Sequence, residues 1–376
     1  MYNTKSVTII GGGTAGWFTA LMIKNYYAHL DVLVIESEEI GILGAGEGTT
    51  PHFINLLADI NISLDQIIKH ADGTIKNGIK FENWNGDNKS YFHSFAPHSE
   101  LNQLGNYSIL SAQLSKYDDL SNINYPEKVT NEYKVPFIYG KKSTNLNSNL
   151  IDYFENNSNY ALHFNARKLA KFFAEVGLAR GIRRIEGRVT QLINNEQGYI
   201  KSIRVDTEPK LIETDFVFDC SGFARLCLGK HYNTEWESYE KHLPMNTAIP
   251  FFISHDNNVT AETTSIAMSS GWCWQIPVRD RYGCGYVFDS EFISEDQALA
   301  EAEQYFGQKL EVPKTFKFKP GSYKKTLVKN CLAIGLSQGF VEPLEATSLW
   351  VSYRNLINFI NFNGINSYKS EAFSNK

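Results

Sequence analysis

One stretch near the start, Val7-Thr8-Ile9-Ile10-Gly11-Gly12-Gly13-Thr14-Ala15-Gly16-Trp17, constrains the fold more than any other part of the chain. The apolar run Val7 to Ile10 reads as a buried strand; it breaks at three consecutive glycines, and a helical pattern resumes through Thr19, Leu21 and Met22. Gly11, Gly13 and Gly16 fit the spacing G-x-G-x-x-G. Gly11 permits the tight turn, Gly13 lets the backbone approach a pyrophosphate, and Gly16 lets the helix lie close on the strand, with the phosphates at the helix N-terminus. Spacing alone is a weak signal. It is strengthened by Asp31-Val32-Leu33-Val34-Ile35-Glu36, a second apolar strand ending in an acid twenty residues after Gly16, where a carboxylate can accept hydrogen bonds from ribose hydroxyls. The competing reading is a glycine-rich turn in some other strand-helix unit.

At 376 residues, 43% hydrophobic and 20% charged, the chain is long enough for two packed units sharing a core. A net charge of −5 and a pI near 6.0 leave no basic surplus that would ask for nucleic acid or an anionic membrane surface. The 24 Phe, 20 Tyr and 6 Trp supply either aromatic-lined cavities or ordinary core filling. Cys220, Cys227, Cys273, Cys284 and Cys331 contain no C-x-x-C and no zinc-like spacing with histidines, so free thiols and no metal site are expected. The first strand begins almost at once and no apolar run approaches about 18 residues, so neither a signal peptide nor a membrane span is read. A cytoplasmic location is the expectation.

After Glu36 the segment Gly41-Ile42-Leu43-Gly44-Ala45-Gly46-Glu47-Gly48-Thr49-Thr50-Pro51 sets four glycines around a lone acid, ahead of a helix over His52 to Ile60. So many glycines point to unusual backbone angles or close approach to a flat ligand, with a flexible surface loop as the alternative. Thr74 to Trp84 alternates as a strand, with Lys76 and Lys80 on one parity; parity leaves open whether Lys76 faces a cavity or water. Residues 85–160 are polar and irregular, an inserted segment of loops and short helices. Order returns with a helix over Ala166 to Ala179 and a strand over Arg183 to Val189. A meander follows through Ile200 to Val205, and Phe216 to Gly222 returns to the nucleotide sheet. Strands are read at Ile249 to Ile253, Gly271 to Val278 and Gly283 to Phe288, a helix at Glu295 to Phe306, a strand from Asn330 into the Gly335 turn, and a last helix through Ile360.

In this order the pieces resemble the flavin-dependent halogenases related to tryptophan halogenase. GGGTAGW at 11–17 looks like that family's nucleotide fingerprint, GAGEGTTP at 44–51 like its flavin-contacting loop, and TIKNGIKFENW at 74–84 like the segment carrying its catalytic lysine. Trp272, Trp274, Ile276 and Pro277 fit the signature W-x-W-x-I-P, and FVEPLEAT at 340–347 resembles the segment with its catalytic glutamate. The likeness covers most of the chain. It implies an α/β fold: an FAD/NAD(P)-binding doubly wound sheet of the flavoprotein monooxygenase type with a β-rich substrate-side subdomain. Residues 1–84, 160–230 and 325–376 are expected to form the FAD-binding part, and 85–159 and 231–324 the substrate side.

The resemblance also implies the chemistry. FADH2 from a separate flavin reductase, with O2 and a chloride, bromide or iodide ion, yields hypohalous acid that is relayed to an electron-rich small aromatic substrate. Lys76 carries over as the group that holds electrophilic halogen, and Glu345 as the carboxylate that orients it and accepts the arene proton. Glu342 suits a structural role. Halide falls to Thr347 and Ser348, where Ser348 replaces the usual glycine and Ala346 a serine. Trp272 and Trp274 separate substrate from flavin, and core packing is compatible with that role. Gly11, Gly13, Thr14, Ala15, Gly16, Glu36, Ser37, Ile40, Leu43, Ala45, Gly48, Val189, Leu336 and Leu349 fall where the family touches FAD. His93 and Phe95 resemble a pair that sandwiches substrate, with a surface histidine beside a core phenylalanine as the plain reading. The chain stops at Lys376, before the extension with which tryptophan halogenases hold the amino acid's polar end, so a smaller indole, a phenol or a carrier-bound arene is expected rather than free tryptophan. Oligomeric state stays open, a homo-oligomer included. The rivals are an aromatic hydroxylase of the same fold and a flavin-binding protein without catalysis.

Overall fold

The computed structural model describes residues 4–39, 41, 47–95, 130–132, 160–256, 258–342 and 344–368. Ile40, Leu43 and Ala45 of the expected FAD set, Pro343, and most of the 85–159 segment lie outside the described residues.

A six-stranded sheet runs in the order Leu327–Val328, Cys331–Ala333, Phe216–Asp219, Ser6–Ile10, Asp31–Glu36 and Arg183–Glu186; only the first pairing is antiparallel. Its central strands are buried on both faces, which is why they read as unbroken apolar runs rather than alternating ones. On one face the helices Thr14–Tyr26 and Ala166–Ala179 pack Trp17, Phe18, Leu21 and Phe173 against Val7, Ile9, Phe216 and Phe218. On the other an antiparallel meander (Val189–Asn194, Ile200–Val205, Leu211–Glu213) brings Ile200, Ile203 and Val205 onto Ile10, Leu33 and Ile35.

A seven-stranded sheet has the order Phe316–Lys317, Thr247–Ile253, Arg281–Phe288, Gly271–Val278, Glu262–Met268, Gly78–Glu82 and Ser90–Ser94. The helix Glu295–Phe306 covers one face through Ala298 and Ala302. Between the two sheets lies a small one, Glu47–Gly48, Ala161–Phe164 and Thr74–Lys76.

The structure corrects four readings. The segment 74–84 is two strands, because at Asn77 the backbone N–H turns to Ala261 O and the chain passes from the small sheet into the seven-stranded one. Ser90–Ser94, expected to be irregular, pairs with Gly78–Glu82. The strand expected over 183–189 ends at Glu186, and Val189 opens the meander. Glu262–Met268 is a strand the sequence reading did not anticipate. Among the described residues no helix is long and apolar enough to cross a membrane, and all five cysteines are free and buried.

Candidate active site

The glycine turn opens a cavity of about 880 Å³ lined by Gly11, Gly13, Thr14, Ala15, Glu36, Ser37, Val189, Leu336, Ser348 and Leu349. Gly11 has φ +115°, a region costly for any side chain. Gly16 does not line the cavity; a Cβ there would stand 1.8 Å from Gly11 O, so its bare Cα is what allows the helix to sit against the turn. The helix begins at Gly13 with no side-chain cap and no acid in its first turn, leaving N–H donors and the positive dipole end facing the cavity. Thr14 Oγ1 is buried and has no hydrogen-bond partner among the described residues. Across the turn, Glu36 receives the Trp17 indole N–H at 3.2 Å and the Arg184 guanidinium. Gly12 makes room for it, since a Cβ there would meet Glu36 Oε2. Arg167, Arg188, Lys314 and Lys317 add positive charge around the opening.

Lys76 stands apart from this cavity, at the end of the small sheet. Its side chain is fully buried and Nζ has no hydrogen-bond partner among the described residues. Burial lowers its pKa from the ordinary 10.5 to about 7, with the Glu345 charge acting the other way. The Phe95 ring centroid lies 5.2 Å from Nζ. Gly48 faces this lysine rather than the nucleotide cavity: a Cβ there would lie 3.1 Å from Lys76 Nζ and 3.2 Å from Thr263 Oγ1. Its neighbour Glu47 lines the cavity, and burial pushes that carboxyl up to about 7.

Glu345 is 46% exposed and reaches His93, whose Nδ1 is 3.5 Å from Glu345 Oε1. It is coupled to Lys76 by charge without a direct ion pair. Lys76 is thus sealed from water while Glu345 is half exposed. Ala346 follows with φ +53°, an unusual angle for a residue with a side chain. Thr347 precedes the first turn of the final helix, Ser348–Asn361, without a side-chain cap, and Ser348 lines the nucleotide cavity.

Trp272 is buried and Trp274 half-buried on one face of the seven-stranded sheet, their rings 6.1 Å apart and inclined at 61°. They join a cluster with Phe318, Phe340, Phe223 and Leu344. Phe223 of this cluster also lines the cavity, and Leu344 is the chain neighbour of Glu345. Glu342 packs here, half-buried; burial raises its pKa and the Trp272 indole opposes that. Ile276 is buried, and Pro277 O accepts the Thr74 hydroxyl at 2.7 Å.

With that geometry in view, a family model described as tryptophan halogenase matches residues 6–375. This chain belongs to that family. It is 30% identical over 370 residues to the tryptophan 7-halogenase RebH of Lentzea aerocolonigenes, covering 94% of this chain and 69% of RebH. It is similar in structure to the flavin-dependent halogenase Xcc4156 of Xanthomonas campestris, with 26% identity and a TM-score of 0.84 over 96% of this chain and 71% of that one. For BrvH of Brevundimonas sp. BAL3, another flavin-dependent halogenase, the figures are 28%, 0.81, 96% and 71%. The chain is thus a flavin-dependent halogenase, an oxidoreductase that uses FADH2, halide and O2. The family implies an aromatic substrate and a flavin reductase as a separate protein. The residues present fit FAD: an uncapped helix N-terminus for the pyrophosphate, an orphaned Thr14 hydroxyl beside it, and the Glu36 carboxylate at the end of the second strand.

The sequence reading did not single out Glu47, Arg184, Thr74, Thr263 or His163. The last had a usable signal: a histidine set in the apolar run Ala161-Leu162-His163-Phe164 must find buried partners.

Proposed function

We propose that this halogenase acts on an electron-rich aromatic small molecule through hypohalous acid held at Lys76. When bound, FADH2 would give two electrons to O2, so that one oxygen atom leaves as water and the other oxidises halide to hypohalous acid. Thr347 and Ser348, at the uncapped start of the final helix, hold the halide by the cavity. The wall of Trp272 and Trp274 keeps the arene from the nucleotide cavity, so oxygen transfer to it is unproductive.

At Lys76 the neutral amine, populated near pH 7, takes halogen from hypohalous acid and water leaves. The arene, placed by His93 and Phe95, then attacks the halogen, the N–X bonding pair returns to nitrogen, and the ring proton passes to Glu345 and back to the amine. The observation that carries this reading is a fully buried lysine amine with no hydrogen-bond partner among the described residues, charge-coupled to a carboxylate and facing an aromatic ring. The test is mass spectrometry of an arene panel with reductase, FAD, NADH and each halide in turn. Halogenated product that requires halide and is lost in Lys76→Ala is expected; product without halide, or an active Lys76→Ala, refutes it.

A further inference from the structure

His163 is fully buried and bonded at both ring nitrogens: Nδ1 lies 3.0 Å from Thr74 Oγ1, and Nε2 3.0 Å from Thr263 Oγ1. The direction of these bonds can be worked out from one end. Thr74 has a single hydroxyl hydrogen, and it goes to Pro277 O, which can only accept. Thr74 must therefore accept from His163, so the proton is on Nδ1. The imidazole is neutral, because burial, and then the charge of Lys76, holds it well below its ordinary range. Nε2 is consequently an acceptor, and the Thr263 hydroxyl hydrogen is committed to it.

Thr263 Oγ1 then has only lone pairs left. It lines the same small space as Lys76 Nζ, the space a Gly48 side chain would fill. Nζ makes no hydrogen bond to that oxygen; an amine moving toward it could only donate, and its lone pair finds no donor there.

We propose that His163 is a positioning residue for Lys76: by holding the Thr263 hydroxyl hydrogen, it makes Thr263 a pure acceptor and leaves the amine lone pair free to take halogen. This rests on the reading of Lys76 as the halogen-bearing amine. The polarity crosses two sheets, since His163 and Thr74 belong to the small sheet and Pro277 and Thr263 to the seven-stranded one. Among the described residues the ionisable groups on the elements packed around His163 are Lys76, Glu47, Glu262, His52, Asp59 and Cys273, with Glu345 beyond Lys76.

The wild-type protein labelled with 15N-histidine tests the tautomer directly. Long-range 1H–15N spectra are expected to give, for His163, a protonated Nδ1 and a bare Nε2 from about pH 6 to about pH 8. A protonated Nε2 in that range overturns the proposal. Variants test its consequence. His163→Phe frees the Thr263 hydroxyl to donate to the amine, and halogenation is expected to fall about tenfold. Adding Thr263→Val removes the offending hydroxyl, so the double variant is expected to regain most of that loss. His163→Gln, whose carboxamide can accept from Thr263 and donate to Thr74, is expected to stay near wild type. A purely packing role predicts the opposite order, with the double variant no better than His163→Phe, and that result refutes the proposal. Lys76→Ala separates the two readings: if it remains active the lysine assignment fails, and if it is inactive while the double variant shows no recovery only the role of His163 fails.

Discussion

A lysine amine held in a dry interior carries an energetic cost that a catalytic role would explain. Moving its pKa from 10.5 to about 7 corresponds to an upper bound of roughly 5 kcal/mol against the folded state at and below neutral pH. The folded protein holds the proton less tightly than the unfolded chain. The penalty is therefore complete below about pH 7 and disappears as pH rises to 10.5, where both states are neutral. Lys76→Met, similar in volume and content to be dry, should abolish halogenation yet raise the melting temperature. Melting curves across pH check the sign: the gain over wild type should shrink from pH 7 toward pH 10. A second residue-scale prediction concerns Ala346, whose φ of +53° precedes the final helix. Ala346→Gly removes a left-handed strain of about 1 kcal/mol and should raise the unfolding midpoint accordingly, measurable in urea. The residue-level site was partly legible. Lys76 and Glu345 stood in recognisable motifs, but nothing local said that one is sealed and the other half exposed, because exposure depends on chain brought in from far along the sequence. His163 went unnoticed because its partners, Thr74 and Thr263, lie about 90 and 100 residues away on either side.

Elements built from continuous apolar runs or strong helical periodicity were readable: Asp31–Glu36, Ala166–Ala179 and Glu295–Phe306 fall at the residues their patterns indicate. The strand Glu262–Met268 was not, since Glu-Thr-Thr-Ser-Ile-Ala-Met carries hydroxyls where a buried strand is expected to carry aliphatic side chains. Of those hydroxyls Thr263 bonds His163, while Ser265 Oγ is buried without a hydrogen-bond partner among the described residues. The break at Asn77 was equally hidden, as the 74–84 pattern runs evenly through a point where the chain changes partner strands. Close approach of two elements gives a sharp prediction. The strand Glu47–Gly48 meets Thr74–Lys76 and Glu262–Met268 across a narrow gap, with Lys76 Nζ 3.1 Å from where a Cβ would be. Gly48→Ala should displace the flexible amine rather than the sheet, so the rate of halogenation should fall about tenfold or more while stability changes by less than about 1 kcal/mol. Single-turnover rates and thermal melts made on the same preparation separate the two effects; a large loss of stability would mean that the backbone, not the lysine, gives way.

At the scale of the molecule, the cavity at the glycine turn is assembled from parts that meet only on folding. The glycine turn and Glu36 come from the first strands, Val189 from the meander, Leu336 and Leu349 from the C-terminal third, and Lys317 from the edge of the seven-stranded sheet. A ligand that touches all of them binds the native arrangement and has little to bind in the unfolded chain. FAD at a hundredfold excess over its Kd should therefore stabilise the protein by about 2.7 kcal/mol. The small sheet is also tied directly to the seven-stranded one, through the bonds His163 makes to Thr263 and Thr74 makes to Pro277, and its Leu162 and Phe164 pack into the core under the six-stranded sheet. That connection predicts that the stabilisation spreads beyond the cavity: far-UV circular dichroism and the fluorescence of the tryptophans, Trp17 under one sheet and Trp272 and Trp274 on the other, should shift by the same increment when FAD is added. Thr14→Val, which removes the orphaned hydroxyl beside the uncapped helix end, should reduce that increment and leave the melting of the FAD-free protein unchanged or slightly raised, because the hydroxyl has no partner there to lose. A shift confined to one probe would mean that the six-stranded and seven-stranded sheets unfold separately, and that the small sheet between them is too weak a bridge to couple cofactor binding to the Lys76 region.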